Sequence, residues 1–268
     1  MNIQVFDVSH GFCAYLIADN GNVMLFDCGH NENTGFRPSD YLPFHGCTAI
    51  ESFFITNFDH DHVSDLANLR EVLHIGILYR NRTIPPEALR ELKEAGGPLS
   101  EGLEAALDMV TEYSEDAPVL PAYPDVELAT FHNSYPVFED TNNLSLVVFI
   151  HYDGLGIVFP GDLEELGWRA LLKNPNFREH LKRVNLFVAS HHGRRSGYCE
   201  DVFSYCRPEV VLISDEAIRY DDYKRHARGV PWNGTTARRL VLTTRSDGMI
   251  RITKTLGEQC AISVGDDG

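Results

Sequence analysis

Three apolar runs in this chain end in side chains that an apolar core does not welcome. Ser52–Thr56 leads into Asn57-Phe58-Asp59-His60-Asp61-His62, Ile157–Phe159 into Pro160-Gly161-Asp162, and Phe187–Ala189 into Ser190-His191-His192-Gly193. A buried strand that stops at carboxylates and imidazoles delivers them to the loop at its end, where several loops can converge on one point. Such strands need cover on both faces. That requirement selects a layered α/β architecture, two half-sheets with helices outside each.

The remaining segments supply those layers. Ile3–Val8, Ala14–Ala18 and Val23–Cys28 are short and β-prone, with Asp19-Asn20-Gly21-Asn22 as a hairpin turn between the last two. Val63–Val72 reads as a helix and Ile75–Tyr79 as a strand. Pro85–Ala95 and Leu99–Tyr113 have helical spacing and are joined by Gly96-Gly97-Pro98, forming an acidic helical insertion at about residues 85–115. The second half repeats the style. Val126–Phe131, Leu144–His151, Val184–Ala189, Val210–Ser214 and Met249–Lys254 read as strands, and Glu164–Lys173 and Thr235–Leu242 as helices. No internal repeat interrupts the pattern, so one domain over residues 1–268 is expected.

Composition narrows the class. A chain that is 43% hydrophobic and 23% charged folds, and it has no apolar run of the roughly 18–20 residues a membrane span needs. The first residues lack the basic and apolar regions of a signal peptide, and the six cysteines form no CxxC pair, so a cytoplasmic location without membrane association is expected. The net charge of −16 opposes a long polyanion. It is uneven, however: Arg194, Arg195, Lys224, Arg225, Arg228, Arg238 and Arg239 crowd the last third.

Aspartate offers hard oxygen and histidine borderline nitrogen, so the three clusters suit a divalent cation. Each has a blander reading alone: Asp61 as a helix cap, Gly161-Asp162 as a turn, the histidine pair as satisfied core residues. Three together, all at strand ends, favour a metal site. At these residues the chain resembles the metallo-β-lactamase superfamily, whose first motif runs Thr-His-x-His-x-Asp-His. Asp61-His62-Val63-Ser64-Asp65-Leu66 sets the register, Asp162 matches the bridging aspartate, and His191 the final histidine. Within the superfamily the chain is most similar to the hydrolase domain of the DNA-uptake competence protein. The shared segments are Asp7-Val8-Ser9-His10-Gly11, Leu25-Phe26-Asp27-Cys28-Gly29, Asn142-Asn143-Leu144-Ser145-Leu146-Val147 and Ser190-His191-His192-Gly193, with a looser echo in Thr244-Arg245-Ser246-Asp247-Gly248.

The resemblance implies a four-layer αββα metallo-β-lactamase sandwich and a metal-dependent hydrolase. It implies one or two divalent ions, Mn²⁺ or Zn²⁺ with Mg²⁺ as a further option, held by Asn57, Asp59, Asp61, His62, Asp162 and His191. Asn57 and Asp59 replace two family histidines. This weakens the first ion position and shifts preference toward oxygen-loving ions. A third histidine of that position is also missing, and Asn143 stands near its place; His60 falls in a variable slot. Asp61 and Asp162 are the expected catalytic carboxylates, with Arg194 and Arg195 following the histidine pair where a guanidinium can hold a phosphate. His226 is a weaker phosphate or proton-transfer candidate. The expected substrate is a phosphodiester in nucleic acid, with a small phosphorylated or cyclic nucleotide as the alternative. A non-catalytic binding or regulatory subunit with a decayed metal site is the rival from another class. The sequence is silent on a protein partner and on assembly state.

Overall fold

The computed structural model describes residues 1–114, 119–216 and 240–265. Its strands, in chain order, are β1 Asn2–Val5, β2 Ala14–Ile17, β3 Val23–Phe26, β4 Ala49–Phe54, β5 His74–Tyr79, β6 Val126–Phe131, β7 Val147–Tyr152, β8 Leu155–Phe159, β9 Leu186–Val188, β10 Val210–Ile213, β11 Leu240–Thr243, β12 Ile250–Thr253 and β13 Ala261–Val264. They form a seven-stranded sheet in the order β13-β12-β1-β2-β3-β4-β5 and a six-stranded sheet in the order β11-β10-β9-β8-β7-β6. Helices α1 Pro38–Phe44, α2 His60–Val63, α3 Leu66–Val72, α4 Pro86–Glu94 and α5 Glu101–Glu112 accompany the first sheet; α6 Glu165–Leu171 and α7 Pro175–Lys182 accompany the second.

Side-chain alternation builds the layers. In β3, Met24 and Phe26 face the second sheet while Val23 and Leu25 face the helices. In β7 and β8, Val148, Ile150, Ile157 and Phe159 meet them from the opposite side, and Phe149 and Val158 turn outward to Trp168, Phe177 and Leu181 of α6 and α7. The central strands of both sheets are therefore apolar on both faces, which is why they read as continuous apolar runs. The result is the αββα sandwich expected from the sequence.

Three local expectations are corrected. The helix over Val63–Val72 is broken in two, because Asp65 leaves the helical path. Its N–H donates to Cys28 O at 3.0 Å and its buried carboxylate accepts from Ser39 N and Arg37 Nη1 at the start of α1. Leu144–Leu146 is a turn before β7, held by Leu146 N donating to Thr56 O at 2.8 Å. Of the helix over Thr235–Leu242, residues 240–242 belong to strand β11, paired in parallel with β10, and the rest lies outside the described residues. No helix among the described residues is long and apolar enough to cross a membrane.

Candidate metal centre

Parallel neighbours finish at the same edge of a sheet. β3 runs parallel to β4, and β8, β9 and β10 run parallel to one another, so the segments after all five strands gather at one rim of the sandwich. Asp27 follows β3, Asn57–His62 follows β4, Asp162 follows β8, His191 and His192 follow β9, and Ser214 follows β10. The two sheets meet there through side chains: His62 Nε2 lies 3.1 Å from Asp162 Oδ1. The backbone of α2 is brought in closely by two glycines. A Cβ on Gly11 or Gly29 would stand 2.4 or 2.3 Å from the Asp61 carbonyl oxygen, so only glycine fits at either place.

The two imidazoles are aimed by their outer nitrogens. His62 Nδ1 lies 2.7 Å from Asp27 Oδ2, and His192 Nδ1 lies 3.1 Å from the carbonyl oxygen of Ser214. A carbonyl only accepts, so His192 Nδ1 carries a proton, and in the neutral ring Nε2 keeps its lone pair. Asp27 does the same for His62 while also accepting from Thr56 N at 2.7 Å. Both Nε2 atoms then turn toward Asp162. His192 Nε2 lies 3.2 Å from Asp61 Oδ2 and 3.5 Å from Asp162 Oδ1, yet it is buried without an aligned hydrogen bond. A buried polar atom without an aligned hydrogen bond is costly, and this one faces two carboxylates. His62, Asp162 and His192 bring one ligand atom each within 4.8 Å of one another, as do His10, Asp61 and His192. A cavity of about 10 Å³ beside His62, Asp162 and His192 has room for one water-sized guest. Donor set, orphaned nitrogen and space all fit a divalent cation.

The electrostatics tell the same story. Burial opposes charge on His62, but Asp162 and Asp27 carry its pKa well above the usual histidine value. Burial likewise opposes charge on His192, and Asp162 and Asp61 raise it to about 9. In turn, burial disfavours the ionised forms of Asp61 and Asp162, but contact with His192 and the charge of His62 hold both below the usual carboxylate range. Without an ion the pocket gathers protons. The rim demands positive charge.

Among the described residues, His192 joins His62 and Asp162 in a group that could hold an ion, and His191, the expected ligand, lies outside that group. Both residues have left-handed backbone, with φ of 52° and 54°, so consecutive rings swing to different sides. His191 lies 3.3 Å from Glu164 Oε1 and 3.0 Å from Ser196 Oγ, with Asp162 Oδ2 at 3.9 Å. Arg194, exposed at the rim, donates to His191 Nε2 at 3.2 Å and His10 Nε2 at 2.9 Å. His10 lies 3.5 Å from Asp61 Oδ2, and burial and the charge of His192 push its pKa down to about 4.

At the expected first ion position, Asn57 and Asp59 both have protein partners. Asn57 Oδ1 accepts from Asp59 N at 2.8 Å, and Asn57 Nδ2 donates to Asn142 Oδ1 at 3.0 Å and Ser145 Oγ at 3.4 Å. Asp59 Oδ1 is taken by the ammonium of Lys93 and accepts from Thr141 Oγ1 at 3.3 Å. Asp59 is absent from the groups of converging donor atoms around His192. Asn143 takes no part: its Oδ1 accepts from Gly167 N at 2.8 Å. His60 is exposed and meets Ser100 Oγ, the cap of α5, at 2.8 Å.

The profile of the metallo-β-lactamase superfamily matches residues 14–173. The chain belongs to that superfamily. No curated protein matches it. Among solved structures it is similar to a diphosphatase of the PhnP family, at 11% identity over 95% of this chain and 98% of that one with a TM-score of 0.48. It is also similar to CmlA, a diiron β-hydroxylase from Streptomyces venezuelae (13%, 80% and 44%, TM-score 0.45), and to Zn²⁺-bound PqqB from Methylobacterium extorquens (12%, 70% and 72%, TM-score 0.39). These likenesses bear on no substrate.

As a superfamily member the chain combines legible and illegible parts. Asp61, His62 and Asp162 each share a group of converging donor atoms with His192. Asp27 and His10 belong to two of the family-like segments, where sequence alone gives them no role; an acid held at φ 56° behind a histidine is what singles out Asp27. Lys93 gave no signal, for it sits on an amphipathic helix where a lysine is ordinary. The expected groups at residues 224–239, His226 among them, lie outside the described residues.

Proposed function

We propose that this chain is a metal-dependent phosphoesterase acting on phosphodiesters, with its ion held by His62, Asp162 and His192 and with Asp61 beside it. The observation that carries the metal reading is the buried His192 Nε2, which lies between two carboxylates without an aligned hydrogen bond to either. Two imidazoles with two carboxylates suit Mn²⁺ or Zn²⁺ better than Mg²⁺. A divalent ion here supplies Lewis-acid polarisation and lowers the pKa of water.

The chain's own residues do the rest. Asp27 and the Ser214 carbonyl hold the two rings in the tautomer that ligation needs. Asp61, kept ionised, orients the attacking water and accepts its proton. Arg194 holds a non-bridging phosphate oxygen at the rim, and its charge stabilises the negative charge that grows there. The motif order shared with the competence hydrolase domain favours nucleic acid or a nucleotide as substrate. One observation favours the non-catalytic reading: Asn57 and Asp59 are both occupied by protein partners.

A substrate panel decides the class: DNA, RNA, cyclic nucleotides, a thioester and a β-lactam, each with Mn²⁺ and with Zn²⁺. Turnover of the thioester or lactam alone overturns the phosphodiester reading, and silence on all of them with ion bound favours the binding role. For Arg194→Ala, a lost charge-assisted contact of about 1.5–3 kcal/mol lowers kcat/KM roughly ten- to a hundredfold while bound metal stays unchanged. Arg194→Lys should rescue poorly if the contact is bidentate.

A further inference from the structure

We propose that Lys93 is a built-in cation that closes the first ligand position of this site, so that the chain holds one metal ion and not two; this deepens the metal reading above and rests on it. Lys93 comes from α4, 34 residues beyond the carboxylate it meets, and its side chain is only 9% exposed. A lysine that far from water is stable only when paired. Its ammonium has two partners here, the Asp59 carboxylate and Thr141 Oγ1 at 2.9 Å, and Thr141 in turn reaches the same Asp59 oxygen. The pairing is built from three separate segments.

Both residues that correspond to the first position are therefore engaged. Asp59 is neutralised by Lys93, and the amide of Asn57 has its oxygen and its nitrogen in hydrogen bonds. Charge leads to the same count. Once Lys93 balances Asp59, a single divalent ion balances Asp61 and Asp162, and a second ion at the first position would have to stand against the Lys93 ammonium. The helical insertion is what brings the lysine. α5 packs its Gly102 so closely on α2 that a Cβ there would stand 2.2 Å from Val63 O, and α4 rests on the shared core through Leu89.

The test reads metal stoichiometry and not turnover. Ion-free protein is titrated with Mn²⁺ by calorimetry, checked by elemental analysis, and examined by electron paramagnetic resonance, in which two ions about 3.5–4 Å apart give a coupled spectrum and one ion does not. The wild type should bind one uncoupled Mn²⁺ per chain. Asn57→His alone should still bind one, because Lys93 keeps Asp59, and Lys93→Gln alone should bind one, because Asn57 stays tied. Only Asn57→His with Lys93→Gln should bind two. Two ions on the wild type, or a second gained by Asn57→His alone, overturns the proposal and leaves the metal reading intact. One ion on a folded double variant also overturns it. No ion on the wild type overturns both. Should the double variant fail to fold, the wild type and Asn57→His still decide.

Discussion

The two sides of this site carry similar residues and treat them in opposite ways. On the His62–Asp162–His192 side, outer partners hold the far nitrogens, and the near ones converge on Asp162 beside a small cavity. On the Asn57–Asp59 side, Asn142, Ser145, Thr141 and Lys93 take up the groups that face inward. A side chain of ligand type thus suits a cation when its donor atoms converge with those of other such groups, and does not when an ammonium or an amide has already taken them. What separates the two sides is the direction from which hydrogen bonds arrive.

The strongest way to break that contrast is to remove a donor from the open side. His192→Ala should weaken Mn²⁺ binding by more than the ~100-fold that losing an outer partner costs, whereas His191→Ala should stay within roughly tenfold of wild type, both read by calorimetry. Equal losses would mean that the two rings share the task. Next in size is Asp27→Asn, which keeps the shape but weakens the acceptor behind His62. Affinity should fall about 10–100-fold, with thermal unfolding measured alongside because Asp27 also accepts from Thr56 N. An unchanged affinity would show that the ring is held by packing alone.

The smallest effect is in pH. In the ion-free protein His192 sits at about 9 against an ordinary value of 6.5, a raised value. The stability this adds is complete below the ordinary value and is lost as pH rises through about 9. Asp61 and Asp162 are lowered by the same contacts, and their share is lost as pH falls through the acid range. Ion-free Tm should therefore drop by a few degrees between about pH 6.5 and about pH 9.5, given roughly 2–4 °C per kcal/mol for a chain of this size. Saturating Mn²⁺ should flatten that slope, since the ion replaces the proton, and binding near neutral pH should release protons, visible as a buffer-dependent heat. A flat ion-free profile would show that His192 is not charged between the carboxylates.

Much of this was written in the order of residues along the chain. Continuous apolar runs such as Val23–Phe26 and Leu155–Phe159 require strands covered on both faces, so the layers follow from a pattern of period two and the need to bury it. The clusters at the ends of β4, β8 and β9 follow equally, because a charged group at the end of a buried strand must leave the core. Helices α1 and α7 and strand β13 escaped notice: α1 carries Pro43 within it, α7 is a short segment behind Asn174-Pro175, and β13 is largely exposed. Only tertiary structure decided which of two adjacent histidines turns inward. That choice depends on a left-handed backbone and on Ser214, Glu164 and Ser196, none of which local spacing ranks. It also decided the fate of Asn57 and Asp59, whose partners Asn142 and Lys93 arrive from 85 and 34 residues away. Sequence determines which groups stand at the rim; the direction of each donor atom is set by hydrogen bonds between distant segments, and those exist only once the layers have closed.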